Sequence, residues 1–333
     1  MNEEMYTRLS IGIVAYNEEK FLRNLLEDLK NQKYPHGLME IILIDSMSED
    51  KTRQIMKEFQ KENTDFYSVQ VLENPKKIQA AGWNVAIKNF TGDVLARIDA
   101  HTRISSEYSE QVMKNIHEGE YVVGGIRPCI SEKDEHWLNV LLQVETSLFG
   151  SSINSSRRSH KKQYVKTMFH AAYRREVFDK VGVFNESLLR TEDNEMHYRI
   201  RKAGYKLCYD PEIISYQYAR NNFSKMVKQK YSNGKWIGIT LKECPKCISF
   251  YHLIPCVFVL GIVLTLIMIK LGAKEISIML WIIYAIFAVV NTIISGLKNR
   301  FYMRSILMPA MFLILHVAYG IGTFVGLLKR GAI

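Results

Sequence analysis

The chain is 333 residues long, 47% hydrophobic, and carries a formal net charge of +10. That length allows one large domain or two smaller ones. Its apolar residues crowd into the last quarter, in stretches 248–269, 276–297 and 305–328. Each can cross ~30 Å of hydrocarbon, which excludes reading the whole chain as a soluble domain.

The opening Met1-Asn2-Glu3-Glu4-Met5 is acidic and has no apolar h-region. No signal peptide is expected, and the polar N-terminal part is expected in the cytosol. Residues 9–15 read as a buried strand. Tyr16-Asn17-Glu18-Glu19 follows, with Asn17 as a helix cap, and then Phe21, Leu22, Leu25, Leu26 and Leu29 at helical spacing. A second apolar strand, 40–45, ends in Asp45 and leads through a turn to a helix with Thr52, Ile55, Met56 and Phe59. Residues 70–73 read as a third strand, 79–88 as a helix, and 94–99 as a fourth strand ending in Asp99. Strands alternating with helices at this spacing predict βαβ units and a parallel sheet. Ligands of such sheets bind at the carboxyl edge of the strands, where Asp45, Asp99 and His101 fall. No GxGxxG or GxxxxGK[ST] loop is present, so the dehydrogenase and P-loop readings lose their support. A carboxylate and an imidazole two residues apart point to one side of an extended chain. They suit Mg²⁺ or Mn²⁺ against a diphosphate, the imidazole favouring Mn²⁺. The alternative is a strand-ending turn with a solvated Asp.

Arg157, Arg158, Lys161, Lys162 and Lys166 form a basic cluster. Arg190-Thr191-Glu192-Asp193-Asn194-Glu195 then opens a helix-like segment stopped by Gly204. Asp193 reads either as a plain cap or as a base kept ionised by the helix dipole. Glu195 and Arg199, four apart, are expected to pair; Asp193 and His197 share that spacing. A second basic cluster over 220–246 is interleaved with Phe223, Met226, Val227, Tyr231 and Trp236. It reads as an amphipathic segment on the membrane, with lipid rather than nucleic acid as partner. The five cysteines, Cys129, Cys208, Cys244, Cys247 and Cys256, are an odd count and are expected as free thiols. Lys298, Arg300 and Arg304 place the loop between the second and third apolar stretches inside. The third stretch, with Pro309 and His316, either spans or lies partly in the interface.

In their order along the chain, several motifs resemble those of the family 2 glycosyltransferases. They are Ala15-Tyr16-Asn17-Glu18, Ile44-Asp45-Ser46-Met47-Ser48-Glu49-Asp50-Lys51-Thr52, Asn74-Pro75, Gly82 with Asn84, Gly92-Asp93, Asp99-Ala100-His101, Glu192-Asp193 and Arg199-Ile200-Arg201-Lys202-Ala203-Gly204-Tyr205. The resemblance covers about residues 9–236 and is nearest to the bacterial exopolysaccharide branch of succinoglycan-biosynthesis, ExoA-like proteins. It implies an α/β GT-A fold, the Rossmann-like mixed sheet of nucleotide-diphospho-sugar transferases, followed by C-terminal transmembrane helices. A cytosolic GT-A domain is expected over 1–220, an amphipathic juxtamembrane segment over 221–247 and a membrane domain of about three helices over 248–330. The implied protein is an inverting, multi-pass cell-membrane enzyme with a cytoplasmic catalytic domain. It would move sugar from a nucleotide-diphosphate donor, a UDP-sugar, to a lipid-linked or glycan acceptor in exopolysaccharide or cell-surface polysaccharide synthesis. By the same resemblance Tyr16, Asn17 and Glu18 lie beside the nucleotide and Asp45 reads the base. Asp99 and His101 stand at the family's Asp-x-Asp motif, for ribose and Mn²⁺ or Mg²⁺. Asp193, beside Glu192, is the base. Apart from the resemblance, Lys76 or Lys77, or a basic residue among 157–162, is a candidate phosphate contact, the alternative being a solvated loop. His101 departs from the family by replacing a carboxylate, which removes one negative charge. The strict Gln-x-x-Arg-Trp motif is also absent, since Gln229 is too far from Lys235-Trp236, which counts against a processive polysaccharide synthase. A non-catalytic membrane scaffold is the alternative from another class. A nucleotidyltransferase would need a Gly-rich basic loop where Tyr16-Asn17-Glu18-Glu19 stands.

Overall fold

The computed structural model describes residues 7–150 and 159–329; Arg157 and Arg158 of the first basic cluster lie outside them. In chain order the elements are β1 (Leu9–Ala15), α1 (Leu22–Lys30), β2 (Met39–Asp45), α2 (Thr52–Glu62), β3 (Ser68–Glu73), α3 (Gln79–Asn89), β4 (Val94–Asp99), β5 (Thr102–Ile104), α4 (Tyr108–His117), β6 (Val122–Ile126), β7 (Cys129–Ile130), α5 (His136–Thr146), β8 (Gln163–Val165), β9 (Ala172–Arg174), α6 (Arg175–Val181), α7 (Glu192–Lys202), β10 (Leu207–Tyr218), α8 (Phe223–Glu243), α9 (Ile254–Lys270), α10 (Lys274–Lys298) and α11 (Met308–Leu328). They form two compact units, Met1–Pro128 with Ser155–Gln217, and Cys129–Asn154 with Tyr218–Ile333.

The sheet of the first unit runs β3-β2-β1-β4-β9-β6-β10-β5. Strands β1 to β4 pair in parallel, as their alternation with helices predicts. Beyond β4 the sheet is mixed: β9 runs antiparallel to β4 and β6, and β10 antiparallel to β5 and β8. The sheet is therefore of the mixed type that the GT-A resemblance implies, its parallel part being the alternating β1–β4 segment. Strands β5, β8 and β9 have only three residues each, too few for a periodic signal. Both faces of β1, β2 and β4 are covered, which explains their near-continuous apolar runs. Val94, Ala96 and Ile98 face one core cluster with Leu25 and Val112. Leu95 faces the other, with Trp83, Tyr173, Phe184 and Met196. By the two-residue period of a strand, Arg97 and Asp99 share the face of Leu95.

At the opposite, amino edge the buried Glu40 carboxylate accepts from Thr91 N (2.7 Å), Thr91 Oγ1 (3.0 Å), Gln70 Nε2 (3.0 Å) and Ser10 Oγ (2.5 Å). Glu40→Ala strands several of these donors. It is expected to cost about 2–4 kcal/mol, read as a lower melting temperature with the donor site intact.

The second unit holds three helices long and apolar enough to cross a membrane, within Phe250–Lys270, Lys274–Lys298 and Met303–Leu328. Helix α8 lies along α11 through reciprocal glycines. A Cβ on Gly234 would sit 2.0 Å from Tyr319 O, and one on Gly326 2.0 Å from Lys235 O. Gly234 and Gly238 on α8, and Gly322 and Gly326 on α11, repeat the small-xxx-small spacing that lets two backbones touch. Lys230 pairs with Glu145 at 3.4 Å, both side chains nearly buried. One expectation is corrected: Cys244 and Cys247 are joined in a disulfide, while Cys129, Cys208 and Cys256 are free. The 3₁₀ turn Pro245–Cys247 brings the two Cα atoms to 5.4 Å, inside the span a disulfide needs.

Candidate active site

Four non-glycine residues have a positive φ among the described residues: Asn17 (54°), Met47 (62°), Lys77 (56°) and His170 (47°). All four lie at one edge of the sheet. Asn17, Met47 and Lys77 follow β1, β2 and β3; His170 precedes the antiparallel β9 and so reaches the carboxyl edge of β4. Strained backbone gathers where a site demands a fixed shape. The loops are also tied to one another. Asn17 N donates to Ser48 Oγ (3.0 Å), Glu49 N to Asn17 Oδ1 (2.8 Å), Glu18 N to Thr52 Oγ1 (2.7 Å) and Lys51 N to Glu19 Oε2 (3.0 Å). Gly82 lets α3 close down on β1, since a Cβ there would meet Val14 Cγ1 at 2.6 Å.

Asp45 and Asp99 end the strands on either side of β1, opposite Ala15 and Val14. Two strand spacings put them about 10 Å apart. Asp45 is fully buried; its Oδ1 accepts from Ser48 N (3.1 Å), and its Oδ2 has no partner. Tyr16 is 46% exposed, with Lys77 Nζ 5.7 Å from the ring centroid. Asp99 accepts from Gln79 Nε2 (3.0 Å) and His170 Nε2 (3.2 Å). Burial works to raise its pKa, but the His170 hydrogen bond and the His170, His101 and Arg97 charges outweigh this and hold the carboxyl well below the usual range. His101 Nδ1 lies 3.1 Å from Glu18 Oε1. No cluster of three ligating side chains forms among the described residues.

Glu192 and Asp193 open α7. Glu192 is 4% exposed and its Oε2 has no partner. Burial, then the Asp193 charge, pushes its carboxyl well above the usual range, with Arg97 opposing. Asp193 is raised as well, by burial, against the Arg97 and Arg127 cations. Its Oδ1 accepts from Asn194 N at 2.8 Å. Glu192, pushed up to about 7, can take up a proton near neutral pH. The Asp99 charge adds to the rise of both members of the pair. Arg97 is the cation among them. It is 5% exposed, sits 4.9 Å from the Trp83 and Phe184 ring centroids, and has no partner at Nε or Nη1. Tyr173, Glu192, Asp193 and Asp99 hold it charged although burial works the other way.

Other sequence expectations fall elsewhere. Lys76 pairs with Glu186 at 2.6 Å, and Glu186 also accepts from Asn84 Nδ2 (3.0 Å). Glu195 and Arg199 pair as expected, at 2.7 and 2.9 Å. Gly204 (φ 94°) stops α7, with Tyr205 N bonded to Ile200 O (3.2 Å). His197 bonds to Tyr173 OH (2.8 Å) and Thr167 Oγ1 (3.1 Å) rather than to Asp193. Burial lowers its pKa to about 3, so it stays neutral. Sequence reading missed Arg97, Gln79 and His170. For Arg97 the signal was present: a charge inside an otherwise apolar buried strand needs a partner.

Comparison with known proteins fits this geometry. A dolichyl N-acetyl-alpha-D-glucosaminyl phosphate 3-beta-D-2,3-diacetamido-2,3-dideoxy-beta-D-glucuronosyltransferase of Methanococcus voltae is 27% identical over 325 residues, 96% of this chain and 97% of that one. Succinoglycan biosynthesis protein ExoA of Rhizobium meliloti is 26% identical over 230 residues, 68% of this chain and 67% of its own. In fold, the chain is similar to mannosyltransferase PcManGT from Pyrobaculum calidifontis, solved with GDP-Man and Mn²⁺. The TM-score is 0.65 at 15% identity, over 96% of this chain and 87% of that one. The domain description "Glycosyl transferase family 2" matches residues 10–182, more than half the chain, and the chain belongs to that family of glycosyltransferases.

Proposed function

We propose that this enzyme is an inverting glycosyltransferase that moves sugar from a UDP-sugar to a hydroxyl of a lipid-linked glycan, in exopolysaccharide or cell-surface polysaccharide synthesis. The single observation that carries the donor reading is the buried, unpartnered Oδ2 of Asp45 at the carboxyl edge. A buried carboxylate oxygen without a donor costs free energy until one arrives. Because Ser48 N holds Oδ1, Asp45 offers one open acceptor. That matches the single N3–H of uracil better than the adjacent N1–H and N2–H of guanine. Tyr16 supplies an exposed ring for the base, and Asn17 and Glu18 shape its loop. Thermal shift tests this. UDP with Mn²⁺ should raise the melting temperature by mass action, and GDP should not. Stabilisation by GDP alone would contradict the reading.

A divalent cation fits the donor set of a carboxylate and an imidazole at one strand end. Asp99 and His101 would hold it, and the donor's diphosphate would complete its shell, as is usual for such ions in phosphate sites. Bound there, Mn²⁺ or Mg²⁺ would neutralise charge developing on the leaving diphosphate. Gln79 and His170 orient Asp99. Asp193 takes the proton of the acceptor hydroxyl as its oxygen bonds to the anomeric carbon. The bond to the diphosphate breaks on the opposite face, the nucleoside diphosphate leaving with the electron pair, which inverts the configuration. Glu192 shares the proton equilibrium of Asp193. Lys76 is held by Glu186 and would reach a phosphate only by leaving that pair.

The lipid-linked acceptor rests on the three apolar helices and on the dolichyl-phosphate substrate named for the Methanococcus relative. The basic residues Lys298, Arg300 and Arg304 favour a cytoplasmic catalytic unit, and those of 221–247 favour contact with anionic lipid.

A further inference from the structure

His101 stands where the family resemblance expects a second carboxylate, and a carboxylate is nevertheless present. Strands β1 and β4 are neighbours, with Val14 opposite Asp99, so the loops leaving them run side by side. Glu18 from the first loop meets His101 from the second, Oε1 to Nδ1 at 3.1 Å. Both side chains are largely shielded, at 22% and 28% exposure. Glu18 is also fixed through its backbone. Its N–H donates to Thr52 Oγ1 (2.7 Å), and its C=O accepts from Phe21 N (3.0 Å) and Leu22 N (2.9 Å) at the start of α1. A loose surface ion pair has no such anchoring.

We propose that Glu18 is a positioning residue for His101, forming with it a carboxylate–histidine pair that would hold the donor's divalent cation and favour Mn²⁺ over Mg²⁺. The inference rests on the nucleotide-sugar reading above. With Nδ1–H donating to Glu18, the lone pair of the ring lies on Nε2, and the carboxylate raises its basicity as a ligand. The charge removed from the Asp-x-Asp position returns from the loop after the neighbouring strand β1. An imidazole ligand also shifts preference along the first-row metals away from Mg²⁺. The rival arrangement is an imidazolium paired with Glu18, which would neutralise the diphosphate with no cation.

The test uses the full chain in detergent. UDP binding is followed by calorimetry, and Mn²⁺ binding in the UDP complex by the electron paramagnetic resonance signal of free Mn²⁺. Glu18→Gln should weaken Mn²⁺ binding about 10–100-fold, the usual scale for losing a ligand's orienting partner. In a His101→Asp background the same Glu18→Gln change should cost less than about threefold, because a carboxylate ligand has no ring to orient, and Mg²⁺ should then compete better with Mn²⁺. Equal losses in the two backgrounds, a change under about twofold in the parent, or UDP binding with no Mn²⁺ uptake would each overturn the proposal. Absence of UDP binding under any condition would instead remove the nucleotide-sugar reading, and this inference with it.

Discussion

Asp193→Asn is expected to lower kcat about 10²–10⁴-fold, the usual contribution of a positioned base, while donor KM moves little. The amide keeps the volume and still accepts from Asn194 N, but it cannot take the acceptor proton. A pH profile adds a second reading. The Asp193 carboxyl is raised above the usual range by burial, and a base must be ionised to act. Activity should therefore rise with pH on a limb displaced from the ordinary carboxylate range toward neutrality. Glu192→Gln should leave that limb near its parent position, because the Asp193 charge raises Glu192 while burial and the Asp99 charge raise Asp193. A limb at the ordinary carboxylate position in the parent enzyme would mean that some other group takes the proton.

Arg97→Met is expected to be the most damaging single change in the first unit. The side chain is buried between Trp83 and Phe184, and its charge acts on Glu192, Asp193 and Asp99. Methionine keeps much of the apolar packing but leaves the acids without their buried cation. Loss of the buried cation removes the charge that offsets the burial of these acids, so the melting temperature should fall. Arg97 opposes the rise of both α7 carboxyls, so its loss should push the activity limb to higher pH. Folding and pH behaviour should change together. A variant with unchanged melting temperature and an unshifted limb would show that Arg97 is not the cation of the site.

The parallel half of the sheet was legible because β1, β2 and β4 are six- or seven-residue apolar runs followed by helix-period segments. The antiparallel half was not, because β5, β8 and β9 are three residues each and form through distant pairings. Asp45 and Asp99 could be placed because each closes such a run, and strand ends locate a binding edge. Asp193 needed the motif order, since an acid at a helix start is equally a cap. Gln79 and His170 could not be placed, because their hydrogen bonds to Asp99 span 20 and 71 residues. Arg97 was hidden in plain view within the apolar strand. The disulfide between Cys244 and Cys247 depends on a 3₁₀ turn that Pro245 favours, a local detail that cysteine counting does not capture.

The carboxyl-edge site is proposed to transfer sugar from a UDP-sugar to a membrane lipid. The most direct measurement of this transfer is incorporation of label from a panel of radiolabelled UDP-sugars into organic-extractable lipid, by membranes carrying the parent enzyme or Asp193→Asn. A labelled lipid product is expected from one UDP-sugar, present with the parent enzyme and nearly abolished by Asp193→Asn. Undiminished lipid product from Asp193→Asn, or equal transfer to free water-soluble sugar without membranes, would contradict it.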